Sequence, residues 1–169
     1  REQESPFHLQ LRSLNTLLLE ETARLNEAQS IARIGNWELV ISDFSIIWSR
    51  EVYRIFEVNQ EKFIPSIKTF FNHLHPDDIE KVNDAFKESY LLQKPTSLEH
   101  RVINSKKEII YVLEIWNVIA DEKGIPVRVI GTCQDITERK KQENETLEMI
   151  RQLQIKNNGR FSVNGFILT

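Results

Sequence analysis

Apolar residues near the N-terminus recur at alternating steps of four and three positions along the chain. The series is Phe7, Leu11, Leu14, Leu18, Leu25, Ala28 and Ala32, and Glu21 takes its one polar position. Heptad spacing of this kind places a narrow apolar seam along one side of a helix. We therefore predict a helix that ends at Gly35 and packs either against a second copy of the chain or against another element of the same chain.

Five runs of residues after this helix have the short, β-branched and alternating pattern that is typical of strands. They cover residues 36–41, 46–49, 96–104, 107–120 and 126–136. The first two are separated from the last three by a stretch of helical spacing, so we predict two strands, a helical middle and three further strands.

The helical middle contains three segments. In the first, residues 52–56 place apolar side chains on one face, and Ser49 is at the position of a helix cap. The second covers residues 66–74. The third opens at His75-Pro76-Asp77-Asp78, where proline suits the first turn and the carboxylates suit the positive end of the helix dipole, and it runs to about Leu92.

The long run at residues 107–120 is apolar on both of its faces. Tyr111, Leu113, Ile115 and Ile119 point one way, and Val112, Trp116 and Val118 point the other. Both faces should therefore be covered. We expect the short helices to cover one face, and the N-terminal helix or a partner chain to cover the other.

A last helix is predicted from Thr137 onward, with a weaker seam at Leu147, Ile150 and Leu153. The chain then divides into three parts. Residues 1–33 form the heptad helix, residues 34–137 form a core domain, and residues 138–169 form a helix that leads toward an output domain.

Four blocks of residues resemble the sequence blocks of PAS domains, in the same order. Residues 32–38 are similar to the entry to the first PAS strand, residues 48–56 to the second strand and first helix, residues 73–78 to a helix opening, and residues 131–139 to the Asp-Ile-Thr exit segment. The resemblance covers about residues 29–139. It implies an α+β PAS fold, with a five-stranded antiparallel sheet, short helices on one face, and flanking N-terminal and C-terminal amphipathic helices.

The same resemblance implies a sensory, signal-input module and no enzyme activity in this chain itself. PAS domains with this exit often precede the dimerisation helices of sensor histidine kinases, so we expect a two-component phosphorelay protein with a kinase as its output domain. Residues 166–169 also resemble the segment just ahead of a phosphoacceptor histidine. The alternatives are a ligand-free PAS dimerisation spacer, and the input domain of a nucleotide cyclase or of a transcription regulator.

The resemblance also assigns a relay role to Asp135 and Thr137. It implies that they form hydrogen bonds at the junction between the last strand and the outgoing helix. A polar joint of this kind can adopt two arrangements of similar energy, which is what a signal relay requires. Simple capping of the helix by Thr137 is the alternative, and both roles are compatible.

Charge and hydropathy narrow the range of partners. The formal net charge is -3 and the pI is about 5.9, which gives no electrostatic attraction to nucleic acid or to an anionic membrane. No uncharged apolar run approaches the roughly 20 residues of a membrane span, and the polar start of the chain lacks the layout of a signal peptide. We expect a cytoplasmic fragment of a longer protein, without nucleic acid or membrane contact.

No catalytic or metal-binding motif involves the histidines, which are His8, His73, His75 and His100. Flavin-binding relatives carry a reactive cysteine on a middle helix and a glutamine two residues before the exit aspartate. Here Cys133 lies on the last strand and occupies that glutamine position, so flavin is disfavoured. Haem is disfavoured as well, because His100 is the one candidate axial ligand and a packed histidine explains it more simply.

PAS cores place a cavity between the sheet and the helices. The resemblance implies a lining of Trp48, Tyr53, Phe56, Phe71, Phe86 and Cys133, with His100 as a further candidate. Such a pocket suits an uncharged, apolar small molecule of unknown identity, whereas the simpler interpretation is that these side chains fill the core. We expect a homodimer with an interface that comprises Leu11, Leu14, Leu18, Leu25, Ala28, Tyr111, Leu113 and Ile115.

Overall fold

The computed structural model describes the backbone of residues 5–164 and the side chains of residues 5–157. Two compact units divide the chain, the first ending at Asp135 and the second beginning at Ile136. The first unit opens with helix α1, Pro6–Ala32. Ser5 caps this helix, since its hydroxyl accepts a hydrogen bond from the His8 N–H at 3.4 Å.

Helix α1 ends before Gly35, so the prediction that this glycine ends the helix is wrong. Arg33 is the capping residue, in the left-handed conformation with a φ of 52°. Gly35 lies in the first strand, where an added Cβ would come within 2.4 Å of the Val52 Cγ2 atom. The close approach of the segment around Val52 is therefore what requires a glycine here.

The five predicted strands are present and form one antiparallel sheet. Their bounds are β1 Ile34–Val40, β2 Ile46–Trp48, β3 Thr96–Ile103, β4 Ile109–Ala120 and β5 Pro126–Asp135. The order across the sheet is β2-β1-β5-β4-β3, with every neighbouring pair antiparallel. The expected α+β architecture is confirmed.

Short helices connect β2 to β3 and lie against the inner face of the sheet. They are α2 Arg50–Ile55, α3 Ile67–His73, a 3₁₀ turn Pro76–Asp78 and α4 Ile79–Leu92. Ser66 begins α3 with a capping box, in which its side chain and that of Thr69 each bind the other's N–H. Ser49 is the N-cap residue of α2, as predicted, but its side chain makes no capping hydrogen bond. Its hydroxyl accepts from the Asn36 N–H at 3.0 Å instead.

The two faces of β4 follow the predicted alternation. Val112, Trp116 and Val118 are buried on the inner face. On the outer face, Ile115 is 48% exposed. Helix α1 packs mainly against β1 and α2, and none of its residues is buried.

The second unit contains helix α5, Thr137–Asn164. Its seam residues Leu147, Ile150 and Leu153 are exposed. The helix continues through Gly159, a residue that the sequence suggests is unfavourable in a helix. The segment 166–169, which resembles the residues ahead of a phosphoacceptor histidine, lies outside the described residues.

Candidate ligand cavity and relay junction

A cavity of about 310 Å³ lies between the inner face of the sheet and helices α2, α3 and α4. Its lining residues are Trp37, Leu39, Ile46, Trp48, Val52, Phe56, Ile67, Phe70, Phe71, Val82, Asn83, Phe86, Glu114 and Trp116. The volume is at the lower end of the range of small-molecule sites.

Four of the seven predicted ligand-binding residues line this cavity, namely Trp48, Phe56, Phe71 and Phe86. Tyr53 packs edge-on against the Trp48 ring, with the ring centroids 5.4 Å apart, and is absent from the lining. His100 and Cys133 are buried in the sheet and are absent from the lining as well. They contact Glu114, which is a lining residue.

Ten of the fourteen lining residues were not predicted, among them the two remaining tryptophans and the two polar residues of the wall. Trp37 and Trp116 are lining residues, so all three tryptophans of the chain border the cavity. Asn83 and Glu114 contribute the polar side chains. The alternation along β4 places Glu114 between Val112 and Trp116 on the inner face, and this signal could have identified it.

Aromatic stacking and one buried hydrogen bond hold the cavity wall. The Trp48 ring stacks on Phe63 with centroids 5.4 Å apart. On the opposite side, the Trp116 Nε1–H donates to the Ser89 hydroxyl at 2.8 Å, and the Trp116 ring stacks on Phe86. Because Ser89 and Phe86 belong to α4, these contacts fix that helix against β4.

A small polar cluster lies in the sheet beside the cavity. The His100 Nε2 atom is 3.8 Å from a Glu114 carboxylate oxygen, and the two side chains are 0% and 8% exposed. Cys133 lies directly opposite Glu114 in the β4–β5 register, and its thiol hydrogen-bonds to the Glu114 carboxylate. Burial raises the pKa of the Cys133 thiol well above its ordinary value, with the Glu114 and Asp135 charges adding to the effect. The thiol is therefore protonated, and it is a weak nucleophile.

The end of β5 is joined to the end of α1. The Asp135 N–H donates to the Arg33 carbonyl oxygen at 3.0 Å. The Arg33 guanidinium lies 3.7 Å from the Asp135 carboxylate. Nearby, the Arg54 guanidinium donates to the Ser30 hydroxyl, which fixes the last turn of α1 to helix α2. Of the two predicted relay residues, Asp135 thus contacts the exit of α1, and Thr137 is the first residue of α5.

A partly buried ion pair fixes the start of α4 to β3. The Asp78 carboxylate accepts from the Arg101 backbone N–H at 2.7 Å and from the Arg101 guanidinium at 3.0 and 2.8 Å. These hydrogen bonds from Arg101 lower the pKa of Asp78 from 3.8 to about 2. The pair holds one end of the helix that carries Val82, Asn83 and Phe86 of the cavity wall.

The described residues also bear on metal binding and on membrane insertion. Within residues 5–164, no group of three or more His, Cys, Asp or Glu side chains is arranged to hold a metal ion. None of the helices in the described part of the chain combines the length and apolarity that crossing a bilayer requires.

Among curated proteins, this chain is similar to a probable diguanylate cyclase and to an uncharacterised protein of Sinorhizobium fredii. The chain is 28% identical over 134 residues to a protein of Escherichia coli named probable diguanylate cyclase DgcE, covering 79% of this chain and 12% of that protein. The chain thus spans only about a tenth of the length of the curated relatives that it matches.

Solved structures share the fold at low sequence identity. A sensory box histidine kinase/response regulator from Burkholderia thailandensis aligns with a TM-score of 0.65 and 22% identity, over 78% of this chain and 98% of the solved chain. The N-terminal domain of a diguanylate cyclase with PAS/PAC sensor from Marinobacter aquaeolei aligns with a TM-score of 0.59 and 15% identity, over 63% and 98%. A family model described as the PAS fold matches residues 45–133, over half of the chain, and this chain therefore belongs to the PAS fold family.

Proposed function

We propose that this chain is the signal-input module of a larger protein, and that its core cavity binds a small, mainly apolar molecule. The observation that carries the proposal is the cavity itself, which remains open among fourteen lining residues, all but two of them apolar or aromatic. Apolar surface of this kind favours a ligand that removes it from water. A ligand-free spacer has no comparable reason to keep such a space.

The proposed relay runs along β5. Cys133 contacts the ligand-facing Glu114, and two residues later Asp135 contacts Arg33 at the end of α1. Helix α5 begins at Thr137, immediately after this strand. A ligand that binds one arrangement of Glu114 better than another biases the arrangement of β5, and it can do so only through unequal affinity for the two states.

The output in this proposal is an enzyme domain in the same polypeptide. A sensor histidine kinase is the output that the exit segment suggests, and a solved histidine kinase/response regulator shares the fold. A second candidate is a diguanylate cyclase, favoured by the 28% identity to a curated protein of that name. Assays of the full-length parent for histidine phosphorylation and for cyclic dinucleotide synthesis distinguish the two.

We further propose that a second copy of the chain covers the seam of α1 and the outer face of β4. Leu11, Leu14, Leu18 and Leu25 of the seam are between 46% and 58% exposed. The helix has 27 residues and is about 40 Å long, so two copies can bury the seam along their whole length.

Sedimentation of the chain should give a dimer, and Leu18→Glu should give a monomer. Leu19→Glu places the same charge off the seam and should leave the dimer intact.

Native mass spectrometry of the purified chain tests the ligand proposal. The expected result is a retained small molecule, or binding of an added apolar compound with one molecule per chain. An absorbance scan of the same sample tests for flavin and haem, which the proposal does not include. Empty spectra with every apolar compound tried would favour the spacer.

A further inference from the structure

Glu114 is a buried carboxylate in an otherwise apolar cavity wall. Its residue exposure is 6%, and it lies on the inner face of β4 between Val112 and Trp116. The cavity lining contains no Lys or Arg residue. Burial of a carboxylate without a cation or strong hydrogen-bond donors is unfavourable, because the group loses its hydration without compensation.

The contacts of Glu114 within the described residues leave its acceptor capacity largely unused. The Cys133 thiol hydrogen-bonds to it, but a thiol is a weak donor. The His100 Nε2 atom lies 3.8 Å away, beyond hydrogen-bond length, and this buried atom has no hydrogen-bond partner. An ionised carboxylate offers about four acceptor positions, so room remains for a strong donor.

The aromatic rings of the wall favour the same kind of partner. Trp48, Phe71, Phe86 and Trp116 border the cavity together with Glu114. The faces of aromatic rings carry negative partial charge and attract cations, and desolvation strengthens that attraction. A carboxylate beside several aromatic rings is therefore complementary to an ammonium group on an apolar body.

We propose that the cavity selects a small apolar amine, whose protonated nitrogen donates to Glu114, and that it rejects carboxylates of the same shape. This inference rests on the proposed ligand-binding function, and it makes Glu114 the residue that determines ligand class. The amine gives Glu114 a strong, charged hydrogen-bond donor, whereas an anionic ligand meets the carboxylate in a wall that has no Lys or Arg to attract it. A neutral alcohol donates a single weaker hydrogen bond and binds with intermediate affinity.

Three matched probes test the selection, namely phenylbutylamine, phenylbutanol and phenylbutyrate. All three tryptophans border the cavity, so their indole N–H signals in proton–nitrogen NMR spectra report directly on its occupation. We expect phenylbutylamine to bind at least about tenfold more tightly than phenylbutyrate, with phenylbutanol between them. This ranking uses the unmodified chain and needs no variant.

The variant Glu114→Gln sharpens the test, because it keeps the shape and removes the charge. The variant should bind phenylbutylamine about tenfold more weakly and phenylbutyrate more tightly than the unmodified chain does. Its affinity for phenylbutanol should be nearly unchanged. Glu122→Gln makes the same substitution in an exposed turn and should change nothing. Equal affinities for amine and carboxylate in the unmodified chain would overturn the selection while leaving cavity binding intact. Indole signals that none of the three probes move would overturn both the selection and the proposed ligand function.

Discussion

Strand β4 carries a buried carboxylate on its inner face and an exposed isoleucine on its outer face, at adjacent positions. Glu114 has a side chain that is 8% exposed, whereas Ile115 is 48% exposed. A soluble sheet with one solvated face usually shows the opposite, with apolar residues inside and polar residues outside. At this one pair of positions the pattern is reversed. The reversal supports the two proposals made above, that the inner face binds a ligand with a polar group and that the outer face packs on an apolar partner surface.

The largest expected effect is a difference between the stability contributed by packing on the inner face of β4 and that contributed by packing on its outer face. Trp116→Ala removes a buried ring, its stacking on Phe86 and its hydrogen bond to Ser89, and should lower the free energy of unfolding by about 3–5 kcal/mol. Ile115→Ala on the outer face should cost less than about 1 kcal/mol in the monomer. Urea unfolding of both variants measures the difference, and equal losses would mean that the outer face is as well packed as the inner one.

The next effect concerns the ion pair that holds α4 over the cavity. The pKa of Asp78 is lowered from 3.8 to about 2 in the folded chain. A carboxyl with a depressed folded pKa contributes stability above its unfolded pKa and loses it as the pH falls through the folded value. We expect Asp78 to contribute about 2 kcal/mol at neutral pH, lost progressively between about pH 4 and pH 2.

The variant Asp78→Asn tests this account by unfolding at neutral pH and near pH 2. The variant should be less stable than the unmodified chain at neutral pH. The difference between their free energies of unfolding should become smaller near pH 2. Asp77→Asn is the matched control. The Asp77 carboxylate is next to Asp78 in the sequence, but it is 73% exposed and lies 3.7 Å from the Arg101 guanidinium. A gap for Asp78→Asn that stays constant with pH would contradict the assigned ion pair.

The outer face allows a smaller effect to be measured without unfolding the chain. Ile115→Glu places a charge in the proposed dimer interface, and should weaken self-association about tenfold while leaving the monomer folded. Glu122→Lys changes charge in an exposed turn and should leave association unchanged. Sedimentation over a range of concentrations gives the dissociation constant, and unchanged association for Ile115→Glu would place the dimer interface elsewhere.

The smallest expected effect on stability is at the relay junction. Arg33→Asn removes a guanidinium that is 63% exposed, while asparagine tolerates the left-handed backbone. Exposed ion pairs contribute little, so the free energy of unfolding should change by less than about 1 kcal/mol. In the full-length parent, the same variant should alter the response of the output activity to ligand. A variant whose output activity responds normally to ligand would show that Arg33 takes no part in the relay.

Much of the fold was predictable because it follows from the periodicity of apolar residues. The alternation along β4 assigns Val112 and Trp116 to one face and Ile115 to the other, as the structure has them. Gly35 was misassigned because the reason for a glycine there is a contact with Val52, which is distant in sequence. Ser49 is at the predicted cap position, but the partner of its hydroxyl was not predictable, because that partner is the Asn36 N–H of strand β1 and not an N–H of its own helix.

The candidate site was only partly predictable, because it too depends on contacts between residues that are distant in sequence. Aromatic residues such as Trp48 and Phe86 were assigned to a cavity because the PAS resemblance implies one, but Tyr53 and Cys133 pack behind its wall. Glu114 was overlooked as a single polar residue in an apolar strand. Its meaning depends on what faces it, and only the three-dimensional arrangement supplies that information.

The most direct test of the ligand cavity is a crystal structure of the chain with phenylbutylamine. We expect the phenyl ring to lie among the tryptophans, with the amine nitrogen within hydrogen-bond distance of the Glu114 carboxylate. A cavity closed by its own side chains, or a compound bound with its amine directed away from Glu114, would contradict the account.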